Sequence, residues 1–406
     1  MKRIIGLAFT AALAVSATAL PAAVSAADVK FGALYPFSGG LALLGDESFR
    51  GLEIATEERN AAGGVKGNRI VLVKGDGVDA NAAVGEARRL TSVENVKAIF
   101  GTYSSSLSIA ASQVAELAGV PYFELGAVSD PITERGFQYI FRTNPTAKSF
   151  AQITVSAIPE VVAPKLGADA KALKVAIIHE DSLYGQTVSG FQKERAKELG
   201  LTVVEVLPYA ANTVDMSSLI QRLKGAAVDV VLQTAYQNDA VLFFRQSKEA
   251  GYKPKAVIGA GGGYSLKDTA RAVGAETIEG ALNVDFTQYK TNPQAAVGLD
   301  KFVEAYRKKY GTEPRSGHSL ANYFGANVFF DAMEKAKSLD GDAIRASVLA
   351  TEKPPFQSAT GWGVKFDAKG QNVAAKPFLM QWQGGELVTV YPENVAVAPV
   401  KLGSGG

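Results

Sequence analysis

With 406 residues, 47% of them apolar and 20% charged, the chain has the length and the apolar material for two domains at roughly 150 residues each. Its 42 basic side chains nearly balance 40 acidic ones, which argues against nucleic acid or an anionic membrane surface as a partner. It has no cysteine, which excludes disulfides, thiolate metal sites, a Cys nucleophile and a lipid anchor on an N-terminal Cys.

The first 26 residues stand apart. Lys2 and Arg3 precede the apolar run IIGLAFTAALAVSATAL, and Val24 and Ala26 are small residues before a cut at Ala27. That is the pattern of a cleavable export leader. No later apolar stretch reaches the ~20 residues of a membrane span. Removing the leader leaves 40 basic and 40 acidic side chains, so the expected product is a near-neutral, soluble, exported protein.

From Asp28 onward, strand-like and helix-like segments alternate. VKFGALYP, RIVLVKGD, VKAIFG and VPYFELG read as strands. GDESFRGLEIATEERNAAGG, ANAAVGEARRLTSVE and LSIAASQVAELAG read as the helices between them, the first stopped by Gly63-Gly64. This order predicts a parallel sheet with helices on both faces. FQYIFRTNPTAKSFAQ breaks the rhythm, and Asn144-Pro145 marks an expected crossing to a second unit. There the strands are KVAIIHE, LTVVEVLPY, VDVVLQTAY and KAVIGAGGG, again with helices between. After Gly280 come a strand in ALNVDFTQY, helices in PQAAVGLDKFVEAYRKKYG and HSLANYFGANVFFDAMEKAKS, and a hairpin in FLMQWQGGELVTVYPE with Gly384-Gly385 in its turn. The fold class is α/β, in two tandem parallel-sheet units.

Catalytic and metal chemistry is hard to find. The two histidines, His179 and His318, make no paired or HExxH motif, and there is no G-x-S-x-G elbow. GAGGG, residues 259–263, lacks the GK[ST] of a phosphate loop and the spacing of a dinucleotide fingerprint. No catalytic residue, metal or cofactor is expected.

Ligands of open parallel sheets sit outside the carboxyl ends of the strands. Three such ends carry hydroxyls and glycines: YPFSGGLALLG with Ser38, the loop with Thr102, Ser104, Ser105 and Ser106, and GAVSDP with Ala127, Val128 and Ser129. Singly they read as helix caps and turns. Recurring at equivalent positions, they suit a carboxylate held by hydrogen bonds and helix dipoles. The second unit offers Tyr184, Tyr236, Asp239 and Tyr264 at its strand ends, aromatics able to cover the apolar part of a small ligand.

These residues together resemble the periplasmic solute-binding proteins of branched-chain amino-acid importers, the leucine/isoleucine/valine-binding type. The likeness spans nearly the whole chain after the leader. It is strongest in YPFSGGLALLGDESFRGLEIATEERNAAGGVKGNRIVLVKGD, AIFGTYSSSLSIAASQVAELAGVPYFELGAVSDPIT, RGFQYIFRT and DSLYGQ. It implies two doubly wound lobes joined by three crossover segments, the type I periplasmic binding protein architecture. The lobes would be 27–145 with 285–357, and 146–284 with 358–406. It further implies a monomer that binds a small amino acid or related carboxylate by hinge closure and delivers it to the membrane permease of an ABC importer.

Carried over by motif, Ser105 with Ser104 beside it and a hydroxyl at Ser129 hold the ligand carboxylate. The Ala127 carbonyl, with slack around Val128, takes its ammonium. Tyr184, Tyr236 and Leu44 cover the rest, and another apolar contact falls near Ser319. The chain departs from the pattern at about Gly261, where leucine-type members carry a Glu that pairs with the ammonium. Asp239, Glu124 or Asp130 would have to substitute. Glu124, inside the apolar strand PYFEL, reads equally as a substitute acid or an edge residue. A non-amino organic or aromatic acid or a small amide stays open as ligand, and a periplasmic sensor as an alternative role.

Overall fold

The computed structural model describes residues 27–402; the expected leader, 1–26, lies outside the described residues. Short apolar runs separated by helical segments cannot pair as hairpins, so they assemble as parallel strands. The first sheet holds β1 (Asp28–Tyr35), β2 (Arg69–Asp76), β3 (Ile99–Gly101), β4 (Tyr122–Glu124) and β5 (Ile140–Arg142). Their order is β2-β1-β3-β4-β5, all parallel. The connecting helices Ala42–Ala61 and Ser105–Leu117 match the expected segments to within a turn, and Ala80–Arg88 continues as a wider π-helical turn over Arg89–Val93 before the expected segment ends.

The second sheet contains β6 (Lys174–Glu180), β7 (Thr202–Tyr209), β8 (Val230–Thr234), β9 (Ala256–Ala260) and β10 (Leu282–Asp285). A short outlying pair, β11 (Glu352–Lys353) and β12 (Val364–Lys365), precedes the terminal hairpin of β13 (Phe378–Gln383) and β14 (Glu386–Tyr391). The hairpin extends the parallel ladder antiparallel at β10, giving the order β14-β13-β10-β9-β8-β6-β7. Both turn glycines, 384 and 385, have positive φ (60° and 79°), as a two-residue turn that follows the sheet twist requires.

The chain passes between sheets three times. After β5 it enters the Ala147–Ala157 helix, which packs on the Leu183–Glu198 helix and against β9 and β10. After β10 it returns to the Gly317–Lys335 helix, which lies along Ala42–Ala61. The third passage is later than the expected 357/358 junction. The Arg142 N–H donates to the Gly370 carbonyl (2.8 Å), and Asn372 N–H donates to Arg142 O (2.9 Å), so this segment still belongs beside β5. A further helix, Gly341–Leu349, packs on Gly317–Lys335 and went unread in the sequence, being one short stretch with only Ile344 and Val348 buried.

The Ala42–Ala61 and Gly317–Lys335 helices approach closely at Gly51, where a Cβ would stand 1.8 Å from the Ser319 carbonyl oxygen. Backbone cannot yield as a flexible side chain can. Gly51→Ala is therefore expected to destabilise the protein by about 2–3 kcal/mol in chemical denaturation. A neutral effect would show that the helix pair tolerates separation.

Candidate functional site

The strands β3 and β4 are parallel neighbours, so the loops that follow them emerge at one edge. A single carboxylate holds both. Glu124, last residue of β4 and fully buried, takes the N–H of Thr102 on Oε2 (2.9 Å). Its Oε1 takes the N–H groups of Tyr103 (3.2 Å), Leu125 (3.0 Å), Gly126 (2.8 Å) and Ala127 (2.7 Å). Burial raises its pKa above the usual carboxylate value, and the backbone donors pull it back in part. Glu124 is thus neither a ligand acid nor an edge residue; it organises the loops.

The hydroxyls on these loops also have partners. Ser129 N–H donates to Ser105 Oγ (3.3 Å), tying one loop to the other. Ser129 Oγ donates to the Leu183 carbonyl (3.1 Å), and Tyr236 Oη donates to Ser104 Oγ (3.5 Å). Leu183 and Tyr236 belong to the second-sheet unit, so both contacts bridge the lobes. The Ala127 carbonyl, the expected ammonium acceptor, already receives Arg142 Nη1 (3.2 Å) and Asn144 Nδ2 (3.0 Å). Arg142 is itself buried, where it also bonds Ser129 O and Gln371 Oε1.

A narrow cavity lies between the lobes. Leu44, Tyr103, Gly126, Val128 and His318 line it from the first-sheet side; Phe150, Tyr184, Tyr236, Gly261, Gly262, Asp285 and Phe286 line it from the second. Of the expected site residues, Leu44, Val128, Tyr184, Tyr236 and Gly261 reach the cavity wall. Ser104, Ser105, Ala127 and Ser129 are packed in the layer behind it. Tyr264 points away, donating to Gln233 Oε1. Ser38 donates to Oδ2 of Asp76 (2.6 Å), the last residue of β2, and so ties its loop to the neighbouring strand end.

Gly261 has φ +108°, and a Cβ there would stand 2.4 Å from the Tyr184 hydroxyl, which donates to the neighbouring Ala260 carbonyl. The tyrosine occupies the space a side chain at 261 would need. None of the three proposed substitute acids lines the cavity. Glu124 is consumed by the loops, Asp239 accepts from Tyr209 Oη (2.6 Å), and Asp130 accepts from Lys148 N–H (3.1 Å).

The acid at the cavity is Asp285, which sequence reasoning passed over. It ends β10, so the rule that pointed to the other strand ends would have found it. It is 1% exposed, and burial pushes its carboxyl up to about 7 against the bonds it accepts from Ser265 Oγ and Phe286 N–H. His318, also missed, is held neutral by burial, its pKa lowered to about 3. Tyr103, from the same loop as Thr102 and the serines, also reaches the cavity, a position that the loop's hydroxyl pattern does not single out.

A family model described as periplasmic binding protein matches residues 28–386. Leu/Ile/Val-binding protein homolog 7 of Brucella suis biovar 1 is 57% identical over 391 residues, covering 96% of this chain and 98% of the relative. Homolog 8 of the same organism is 57% identical over 390 residues, covering 96% of each chain. The leucine-binding protein LivK of Thermotoga maritima superposes with a TM-score of 0.79 at 24% identity, over 91% of this chain and 98% of that one. A solute-binding protein of Rhodopseudomonas palustris BisB5, solved with 3,4-dihydroxybenzoic acid, gives 0.76 at 22% identity, over 92% and 98%.

Two outcomes follow from these contacts. Glu124→Gln replaces an acceptor by a donor facing backbone N–H groups, and is expected to cost about 2–3 kcal/mol in urea denaturation; an unchanged midpoint would remove Glu124 from its organising role. Asp285, with its pKa raised on folding, binds its proton more tightly folded than unfolded. Its contribution to stability is present at low pH and is lost as pH rises towards 7. The ligand-free stability of Asp285→Asn relative to wild type should therefore increase from pH 5 to pH 8, by up to about 1.4 kcal/mol per unit below 7. A pH-independent difference would show that Asp285 is ionised throughout.

Proposed function

The chain belongs to the periplasmic binding protein family, and from that premise we propose that it is the solute receptor of an ABC importer. It captures a small amino acid or related carboxylate in the interlobe cavity and presents it to a membrane permease. The family works in the periplasm by binding solutes. Residues 1–26 would supply the export leader, and the mature chain would act as a monomer, releasing its ligand chemically unchanged.

The observation that carries this reading is the cavity itself, whose lining is shared between two sheets connected only by crossing segments. A ligand in it touches both lobes and so binds the closed arrangement more tightly than an open one. That differential affinity is what shifts the population to the closed shape a permease can recognise. The lining is mostly aromatic and aliphatic, with few polar groups, as small-molecule sites are. Gly261 in place of an acid keeps an organic or aromatic carboxylate open as a second ligand class.

The relatives' names include leucine, isoleucine and valine binding, so these amino acids head the ligand panel. Thermal unfolding of the mature protein, refolded to strip carried-over ligand, is the test. A cognate ligand at 100-fold over its Kd should stabilise by about 2.7 kcal/mol. No shift with any amino acid or organic acid would overturn the receptor reading. Ser105 stands behind the wall and accepts from Ser129 N–H, which leaves its own proton to donate should the carboxylate reach it. Ser105→Ala would then weaken carboxylate binding by about 1.5–3 kcal/mol; unchanged affinity would leave Ser105 only its tie to Ser129.

A further inference from the structure

The cavity is encircled by rings. Tyr184 and Tyr236 have centroids 5.2 Å apart, Tyr236 and Tyr103 6.3 Å, and Tyr103 and His318 6.1 Å. His318 and Phe286 follow at 4.8 Å, then Phe286 and Phe150 at 5.8 Å. The gap between Phe150 and Tyr184 is closed at Gly261, where a Cβ would lie 3.7 Å from Phe150 Cε1 and 3.4 Å from Tyr184 Cζ.

Within this girdle one carboxyl lines the cavity, that of Asp285, and no Lys or Arg lines it. The groups bonded to Asp285, the Ser265 hydroxyl and the Phe286 N–H, are both neutral. The imidazole of His318, buried among these rings, carries no charge to offset it. A buried carboxylate without a cation is costly, and an aromatic wall presents negative ring faces. Both features favour a cationic group arriving with the ligand. A metal ion is a poor fit: hard cations need several oxygen ligands, and among the described residues no cluster of three or more His, Asp or Glu could supply them.

We propose that Asp285 binds the ammonium group of the ligand, making the ligand class a small amine-bearing carboxylate and excluding its deaminated analogues. The proposal rests on the receptor reading above and sharpens it.

Isothermal titration of the mature chain with L-leucine, L-alanine and their 2-oxo counterparts tests it. The wild type is expected to bind at least one amino acid on the order of 10- to 100-fold more tightly than its oxo acid, the size of a charge-assisted hydrogen bond. Asp285→Asn is expected to lose that preference, weakening amino-acid binding by the same factor and leaving oxo-acid binding within about threefold. An amino-acid affinity untouched by Asp285→Asn, or a wild type that prefers the oxo acid, would overturn the assignment while the receptor reading stood. If the variant fails to fold, the wild-type pair of ligands decides alone. If neither ligand type binds the wild type, the receptor reading falls and this assignment with it.

Discussion

The geometry of the first lobe's ligand edge depends on one buried carboxylate. Two loops leave neighbouring parallel strands with several N–H groups that no strand or helix satisfies, and buried donors of that kind must find acceptors. Glu124 gathers five of them, from residues 102, 103, 125, 126 and 127. Each charged hydrogen bond is typically worth about 1.5–3 kcal/mol, and together they offset part of the desolvation that burial imposes on the acid. The consequence is functional: backbone donors that the strand-end rule would assign to a ligand are already spent. What these loops leave at the cavity wall is the Tyr103 ring, the Gly126 backbone and the Val128 side chain.

A second polar cluster does for the crossings what Glu124 does for the loops. Arg142, at the end of β5, bonds the carbonyls of Ala127 and Ser129 and the side chain of Gln371. Gln371 Nε2 in turn donates to the Asn144 carbonyl (3.0 Å), and Asn372 Nδ2 donates to the Thr143 carbonyl (3.0 Å). The first and third crossing segments are therefore tied to each other and to the loop that carries Ser129. The ties end where the chain enters the Ala147–Ala157 helix and, at Phe378, β13.

Much of the fold was legible because periodicity and turn chemistry agreed. β2, read as RIVLVKGD, and β6, read as KVAIIHE, have the bounds the apolar runs suggested. The late third passage was not legible, since residues 370–372 pair with β5 through backbone bonds that leave no apolar signature. Tyr184, Tyr236, Leu44, Val128 and Gly261, to which strand-end logic and family likeness point, stand at the cavity wall, and Ser104, Ser105, Ala127 and Ser129 lie on the indicated loops one layer behind it. Sequence shows which loop a hydroxyl is on, not whether a neighbouring N–H or carbonyl claims it first. Asp285 was overlooked for a related reason: it ends a four-residue strand in the part of the chain where the α/β rhythm fades.

The register of the second sheet explains how the cavity can hold its acid at 285 while 261 is glycine. Asn283 pairs with Gly259 and Val284 with Ala260, so continuation of the ladder sets Asp285 across from Gly261. Neighbouring strands are about 4.8 Å apart, which is within the reach of one side chain. Asn283 also locks the glycine, accepting its N–H and donating to its carbonyl at 3.2 Å each. A glycine at 261 then admits the Tyr184 hydroxyl, and a carboxyl stands one strand over at the end of β10. The side chain at this end of the sheet thus comes from β10 rather than from the residue after β9, and Tyr184 fills the space beside Gly261.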